Sequence, residues 1–303
     1  MTCAGRHQRT LGCSEVQDLS EEEKEISMIS QVQLRTMMCA LAVPVLFLSA
    51  LPVARAQDQP QTYLSAFCIE ALPGKALELE QFVRDVGSKL FQVSMQEKRL
   101  SRWTFSRAVA PTGEEARCSH RLALVYEGAP PEPQSQLEAD LKKAGIKMSP
   151  QEYFARLMSL SKLVLHERFA RLASFGAPEK GTYFRINFMK PLPGKGAEFA
   201  KFEREVWMPL AEQAAKSGHP LKAWSGWFRM YPSGTESDYD AITVDIFRDW
   251  ASVWKPQGFS KEVVEKVFPG KTAQDLMAPI GTLRSLVHRE LYFVVESGRA
   301  ASQ

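Results

Sequence analysis

Thr62-Tyr63-Leu64-Ser65-Ala66-Phe67-Cys68-Ile69-Glu70-Ala71-Leu72-Pro73-Gly74-Lys75 is answered 120 residues later by Thr182-Tyr183-Phe184-Arg185-Ile186-Asn187-Phe188-Met189-Lys190-Pro191-Leu192-Pro193-Gly194-Lys195. Each is a strand-like run closed by a Leu-Pro-Gly-Lys turn, and each leads into a helical pattern. Leu79, Phe82, Val83, Val86 and Leu90 share one face of the first helix. Phe199, Phe202, Val206 and Leu210 do the same in the second. Paired strand-like runs follow: 100–109 and 119–127 about Pro111-Thr112-Gly113, then 221–231 and 239–247 about Pro232-Ser233-Gly234. A helical stretch near 150–161 or 272–284 and a last strand complete each copy. Those strands carry His166-Glu167-Arg168 and His288-Arg289-Glu290, by which point the offset is 122. An order kept through so many elements is a duplication.

Each copy therefore reads β-α-β-β-α-β, a ferredoxin-like plait in which an antiparallel sheet carries helices on one face. The uncovered sheet faces must be buried, and two copies in one chain can bury them against each other. The expectation is an α+β protein: two tandem ferredoxin-like repeats packed sheet to sheet as a pseudo-dimeric α+β barrel. The first repeat is placed at 57–175 and the second at 176–303, meeting at Phe175-Gly176-Ala177-Pro178. Pro130-Pro131-Glu132-Pro133 reads as a loop inside the first repeat.

The 303 residues are 45% hydrophobic and 24% charged with a net charge of +3, which excludes disordered, collagenous and coiled-coil chains. No Lys/Arg block marks a nucleic-acid surface. From Met37 to Ala56 runs an apolar segment too short and Pro-interrupted to span a bilayer, preceded by Arg35 and ending Ala54-Arg55-Ala56. It reads as a secretory signal peptide cut after Ala56, the alternative being an uncleaved N-terminal anchor. The acidic Glu21-Glu22-Glu23-Lys24-Glu25 upstream points to a true start at Met28 or Met37. Cleavage leaves 33 basic and 29 acidic residues and two cysteines, Cys68 and Cys118. The mature chain is thus expected to be secreted or periplasmic, not membrane-spanning, and a monomeric pseudo-dimer.

Strand, Leu-Pro-Gly-Lys and a helix beginning Ala197-Glu198-Phe199 resemble the start of NIPSNAP-like domains. More broadly they resemble the dimeric α+β barrel superfamily, with its antibiotic-biosynthesis monooxygenases and haem-handling chlorite-dismutase-like proteins. The resemblance covers nearly all of 62–295, but its motifs are structural: Pro-Gly-Lys sets a turn and a helix start, and lacks the frame of a phosphate loop. Members range from cofactor-free oxygenases to proteins of no known activity, so the resemblance leaves function open.

Strand alternation assigns faces. Phe184, Ile186 and Phe188 are expected to meet the helices, as are Ile242, Val244 and Ile246. That turns Tyr183, Arg185, Asn187, Met189, Thr243 and Asp245 into the barrel, with His288, Glu290 and Tyr292 from the last strand. In the plait's 4-1-3-2 order, Arg185 and Asn187 are flanked by Thr243/Asp245 and by His288/Glu290. This set is either a polar ligand pocket or a buried ion-pair network that fixes the packing. As a pocket, His288 or Asp245 is the candidate base and Arg185 and Asn187 the oxyanion holders, with Tyr183 and Tyr292 walling a flat ligand. The first copy has a plainer set at these places: Ser65, Phe67, Ala123, His166 and Arg168.

His120, His166, His219 and His288 match no metal or haem-attachment spacing, so no cofactor or metal is expected, although one axial histidine can suffice for haem. Trp103 and Trp224 hold equivalent repeat positions and read as core, like most of the tryptophans; Trp207, beside Pro209, marks a kink. Cys68 and Cys118 fall at facing ends of neighbouring strands, within reach of a disulfide on the helix face, or remain two buried thiols. Two classes stay open: a barrel binding a small, partly aromatic ligand or another protein, and a cofactor-independent monooxygenase-like enzyme acting on an electron-rich aromatic substrate.

Overall fold

The computed structural model describes residues 61–111, 117–131, 136–234 and 237–300; the apolar segment read as a signal peptide, and the residues before it, lie outside them. The first copy runs β1 (Thr62–Ala71), α1 (Ala76–Phe82), a π-helical segment (Val83–Gly87), α2 (Ser88–Gln96), β2 (Arg102–Ala110), β3 (His120–Glu127), α3 (Leu137–Lys143), α4 (Pro150–Leu160) and β4 (Ser161–Phe175). The second runs β5 (Tyr183–Pro191), α5 (Gly196–Phe202), a π-helical segment (Glu203–Trp207), α6 (Met208–Lys216), β6 (Leu221–Tyr231) and β7 (Ala241–Phe247). Short helices α7 (Trp250–Val253), α8 (Lys261–Val267), α9 (Ala273–Met277) and α10 (Ile280–Leu283) then lead into β8 (Arg284–Arg299).

The repeated Leu-Pro-Gly-Lys works identically in both copies. Gly74 and Gly194 take φ of +73° and +74°, where a side chain would be strained, and the next N–H donates back to Leu72 or Leu192 at 2.8 Å. The helices bury the faces read from the spacing: Leu79, Phe82 and Val83 pack with Trp103 and Phe105, and Phe199 and Phe202 with Met189 and Ala241. Each large apolar side chain so enclosed contributes about 1.5–3 kcal/mol. The helix irregularity at Trp207 occurs at the same place in the first copy, where no proline stands within the segment or just after it. The extra residue of a π turn, and not Pro209, is therefore its cause.

All strand pairings are antiparallel, and each copy keeps the order fourth-first-third-second. The last strands are long because each serves two sheets. β4 gives Ser161–Ala170 to β1 and Arg168–Phe175 to β6. β8 gives Arg284–Phe293 to β5 and Leu291–Arg299 to β2. The two half-sheets face each other and are also joined at both edges, so eight strands close into one barrel.

The face assignment of β5 and β7 is the reverse of the sequence expectation. Phe184, Ile186, Phe188, Ile242 and Ile246 cluster with Leu64, Ala66, Val125, Phe169 and Trp227 from around the lumen. Arg185, Asn187, Met189, Thr243 and Asp245 point to the helices instead. A small closed barrel must be filled by its own side chains, so the bulkier apolar row turns inward. In β8, Glu290 and Tyr292 do face the lumen. Register explains the split: Arg185 and Asn187 lie opposite Leu291 and Arg289, one residue from the pairing with His288/Glu290. A slip of one residue exchanges the faces.

Cys68 and Cys118 are disulfide-bonded, with Cα atoms 5.2 Å apart. Cys68 continues the lumen row of Leu64 and Ala66, not the helix face. With its cysteines 50 positions apart in sequence, the bridge restrains the unfolded chain by about 4 kcal/mol in the loop-entropy picture. The double variant Cys68→Ala/Cys118→Ala is expected to lose most of that, read as a lower denaturant midpoint with a steeper slope, because the released unfolded chain exposes more surface.

Candidate functional site

The lumen holds a charge network rather than an open pocket. Arg121 donates through Nε to the Tyr292 hydroxyl at 2.8 Å and through Nη2 to Glu290 Oε2 at 2.9 Å, and Tyr292 donates to the same oxygen at 2.7 Å. Arg229 donates to Glu167 Oε1 at 3.2 Å, as does the Tyr239 hydroxyl. Arg121 reaches Glu167 Oε2 at 3.9 Å and lies over the rings of Phe188 and Tyr292. His288 stacks on Phe188 at 3.9 Å with Nε2 3.6 Å from Glu290 Oε1. Burial would raise the Glu290 carboxyl, but His288, Arg121 and Tyr292 together outweigh it and hold it at about 2. Two guanidiniums thus neutralise two carboxylates, and beside them remains a small, mainly apolar space of about 80 Å³.

The other predicted residues form a separate site between the second half-sheet and its helices. Arg185 donates twice to Asp245 Oδ2, at 3.1 and 2.9 Å. Asn187 donates to Asp245 Oδ2 at 2.9 Å and to Thr243 at 3.1 Å, and accepts from Arg289 at 2.9 Å. They line a polar pocket of about 140 Å³ with Glu203, Trp207, His219 and Arg284. Burial pushes the Glu203 carboxyl up to about 8, although Arg284 nearby opposes the shift. Tyr183 lies outside this pocket, packed against Trp250 and Phe293. The eight predicted residues therefore divide. His288, Glu290 and Tyr292 are in the lumen; Arg185, Asn187, Thr243 and Asp245 are in the pocket; Tyr183 is in the packing beside it.

A much larger space is in the first copy, between its half-sheet and α2, α3 and α4: about 840 Å³, with walls mainly of apolar atoms. Phe67, Leu124, Tyr126, Tyr153, Phe154 and Leu157 are among its lining residues. Burial raises both tyrosine hydroxyls to about 12, so they stay neutral donors at physiological pH. His166 lines the cavity, stacked on Phe67 at 4.2 Å, and its Nε2 is buried without a partner. Burial lowers the pKa of this imidazole, with Arg168 adding to the effect and Glu167 opposing it. Among the described residues no group of three or more His, Cys, Asp or Glu side chains could hold a metal ion.

Sequence reasoning named His166 and Arg168 but rated their surroundings as plain; the cavity comes from a gap between elements, which no local pattern encodes. It missed Glu203, an acidic residue where the equivalent first-copy position is Val83, and that mismatch between copies was the available signal. Arg121 and Glu167 gave none, since each sits in an ordinary strand.

No family model matches the chain, and no curated protein matches it either. Among solved structures it is similar to a Fusobacterium nucleatum protein named "Putative monooxygenase (FN1347)", with a TM-score of 0.51, 9% identity, and 80% of this chain and 96% of that one covered. A Lactobacillus acidophilus protein also named "putative monooxygenase" gives 0.48, 4%, 79% and 97%, and "Putative Chlorite dismutase TA0507" gives 0.41, 11%, 78% and 95%. The likeness to the Fusobacterium protein covers both halves and agrees with the fold described above, an α+β barrel of two ferredoxin-like halves in one polypeptide. Identities this low carry the fold alone.

Two stability predictions follow from the charges. Arg121→Met leaves Glu290 in the lumen without its guanidinium and should cost about 3–5 kcal/mol by denaturant unfolding, whereas an exposed pair such as Lys216–Glu212 should cost less than about 1. Glu203 holds its proton longer in the folded chain than in the unfolded one. Its contribution is therefore complete below pH 4.5 and is lost as pH rises toward 8, by an amount on the order of 4 kcal/mol. Glu203→Gln should flatten the fall in unfolding free energy across that window.

Proposed function

We propose that the protein is an exported small-molecule-binding α+β barrel whose ligand, flat and mainly apolar, occupies the first-copy cavity. The observation that carries this is the 840 Å³ space with an apolar wall and a single buried, unpartnered imidazole nitrogen at its side. An empty apolar space of that size forfeits dispersion contacts that a ligand restores, and a few fixed polar groups set its orientation. Arg168 and Lys162 also line the cavity and form no ion pair among the described residues, so a ligand with an acidic edge suits it.

A second reading is favoured by His166 itself: a cofactor-independent, monooxygenase-like enzyme acting on an electron-rich aromatic substrate in the same cavity. A neutral imidazole with a free ring nitrogen can take a proton from a phenol, as such a reaction needs. Likeness of fold to the Fusobacterium protein supports this reading. His288, Asp245 and Arg185, the earlier candidates for catalysis, lie elsewhere and have no part in it.

Export is supported by the Met37–Ala56 segment and by the Cys68–Cys118 bridge, which suits an oxidising compartment. A NIPSNAP-like origin of the repeats rests on the Leu-Pro-Gly-Lys turns. A chain that closes its own barrel has no need of a partner subunit, and we take it as a monomer.

Anilinonaphthalene sulfonate, flat, apolar and anionic, should bind the folded chain saturably with a fluorescence rise. Leu124→Trp, which fills the cavity, should weaken binding at least tenfold while leaving the far-ultraviolet circular dichroism unchanged; equal binding by that variant would place the ligand elsewhere. His166→Ala should keep dye binding and, under the second reading, abolish oxygen consumption with phenolic substrates. N-terminal sequencing of protein exported by a bacterial host should begin at Gln57.

A further inference from the structure

The 140 Å³ pocket of the second copy is walled by buried polar atoms that bond to nothing. Glu203 Oε2, Trp207 Nε1 and Arg284 Nε are all buried without a partner, and their residues line this one space. His219 also lines the space, but the backbone of Gln257 and Gly258 is there to accept from its Nε2. Its Nδ1 accepts from the Leu221 N–H at 3.1 Å, which leaves the proton on Nε2. Leaving a buried polar group unsatisfied costs about 1–3 kcal/mol, so such atoms gathered at one cavity need an occupant.

Their polarity says what kind. The indole and guanidinium nitrogens are donors, His219 is a donor in this tautomer, and Glu203, only 2% exposed, holds its proton and can donate as well. The one carboxylate in reach, Asp245, already accepts from Arg185 and Asn187. Arg284 and Arg289 have no carboxylate partner among the described residues, so the pocket carries excess positive charge. Met189, Leu221, Phe259 and Leu286 supply an apolar side to the same space. The volume is that of about five liquid waters. The arrangement belongs to the second copy alone: the first has Val83 and Gly87 where Glu203 and Trp207 stand, and Phe67 where Asn187 stands. A shared packing device would have been kept in both.

We propose that this pocket binds a small organic carboxylate of two to four carbons, its oxygens taken by Arg284, Trp207 and Glu203 and its chain lying on the apolar wall. The site is independent of the first-copy cavity and stands whether or not that cavity takes a ligand. Bound there, the carboxylate completes the donors without adding a covalent step.

The test is titration calorimetry of the full chain with butyrate, and with inorganic phosphate as a comparator. Butyrate should give saturable heat, and phosphate should bind at least tenfold more weakly because it offers nothing to the apolar side. Trp207→Phe, which keeps the aromatic packing, and Arg284→Met should each raise the butyrate dissociation constant at least tenfold. Glu203→Gln, still a donor, should change it less than threefold, and Glu203→Val, the first-copy residue, at least tenfold. Circular dichroism establishes that each variant is folded, and Trp207→Phe remains the readable one should Arg284→Met not fold. No saturable heat with butyrate overturns the proposal and leaves a pocket filled by water only; equal binding of phosphate overturns it in favour of an unselective anion site, and unchanged affinity in Trp207→Phe overturns it by removing butyrate from this pocket.

Discussion

Everything in this fold depends on two strands that each belong to two sheets. β4 and β8 begin as the fourth strand of their own plait and end as the neighbour of the other copy's second strand. A ferredoxin-like plait alone has two open edges and one bare apolar face. Sharing the last strands removes all of these at once, because the edges find backbone partners and the bare faces become the inside of a barrel. The price is a crowded lumen, and it is met by side chains: aromatic and branched residues from every strand but β2, with a neutralised set of two arginines and two glutamates among them.

Crowding explains how much was legible. The duplication, strand order and buried helix faces follow from repeat spacing and 3.6-residue periodicity, and the structure has all three. Facing was harder. In β5 both alternating rows are enclosed, Phe184-Ile186-Phe188 by the lumen and Arg185-Asn187-Met189 by the helices, so a polar row does not mark the lumen. Bulges compound this. The pairing shifts at Phe188/Met189 in the second copy and at the equivalent Cys68/Ile69 in the first, and parity cannot be carried past them. One residue of register put His288 and Glu290 beside the wrong neighbours. The predicted site was thus composed of residues that belong to two different sets of partners, with Tyr183 in the packing beside one of them.

The copies share a scaffold and differ in what their helices enclose. Both carry the π-helical segment at the same point. In the first copy the gap beyond it is wide and apolar; in the second the added α7 and α8 and the change from Val83 to Glu203 make it narrow and polar. Related sheets need not host related ligands, since the specificity of a cleft lies in the row of side chains facing the helices and not in the row that fills the barrel.

The shared strands also govern the order in which the chain can assemble. Arg102 pairs with Arg299, so the β2–β8 seam joins residues from opposite ends of the described chain. Contacts of such long separation give nothing until most of the loop entropy has been spent, and they therefore form late. Before that seam closes, β2 and the tail of β8 are open strands beside a partly bare apolar face. A newly made chain would then be most exposed to association with its neighbours in the interval between finishing its second plait and closing the ring, and the rate of that closure rather than final stability would set its yield.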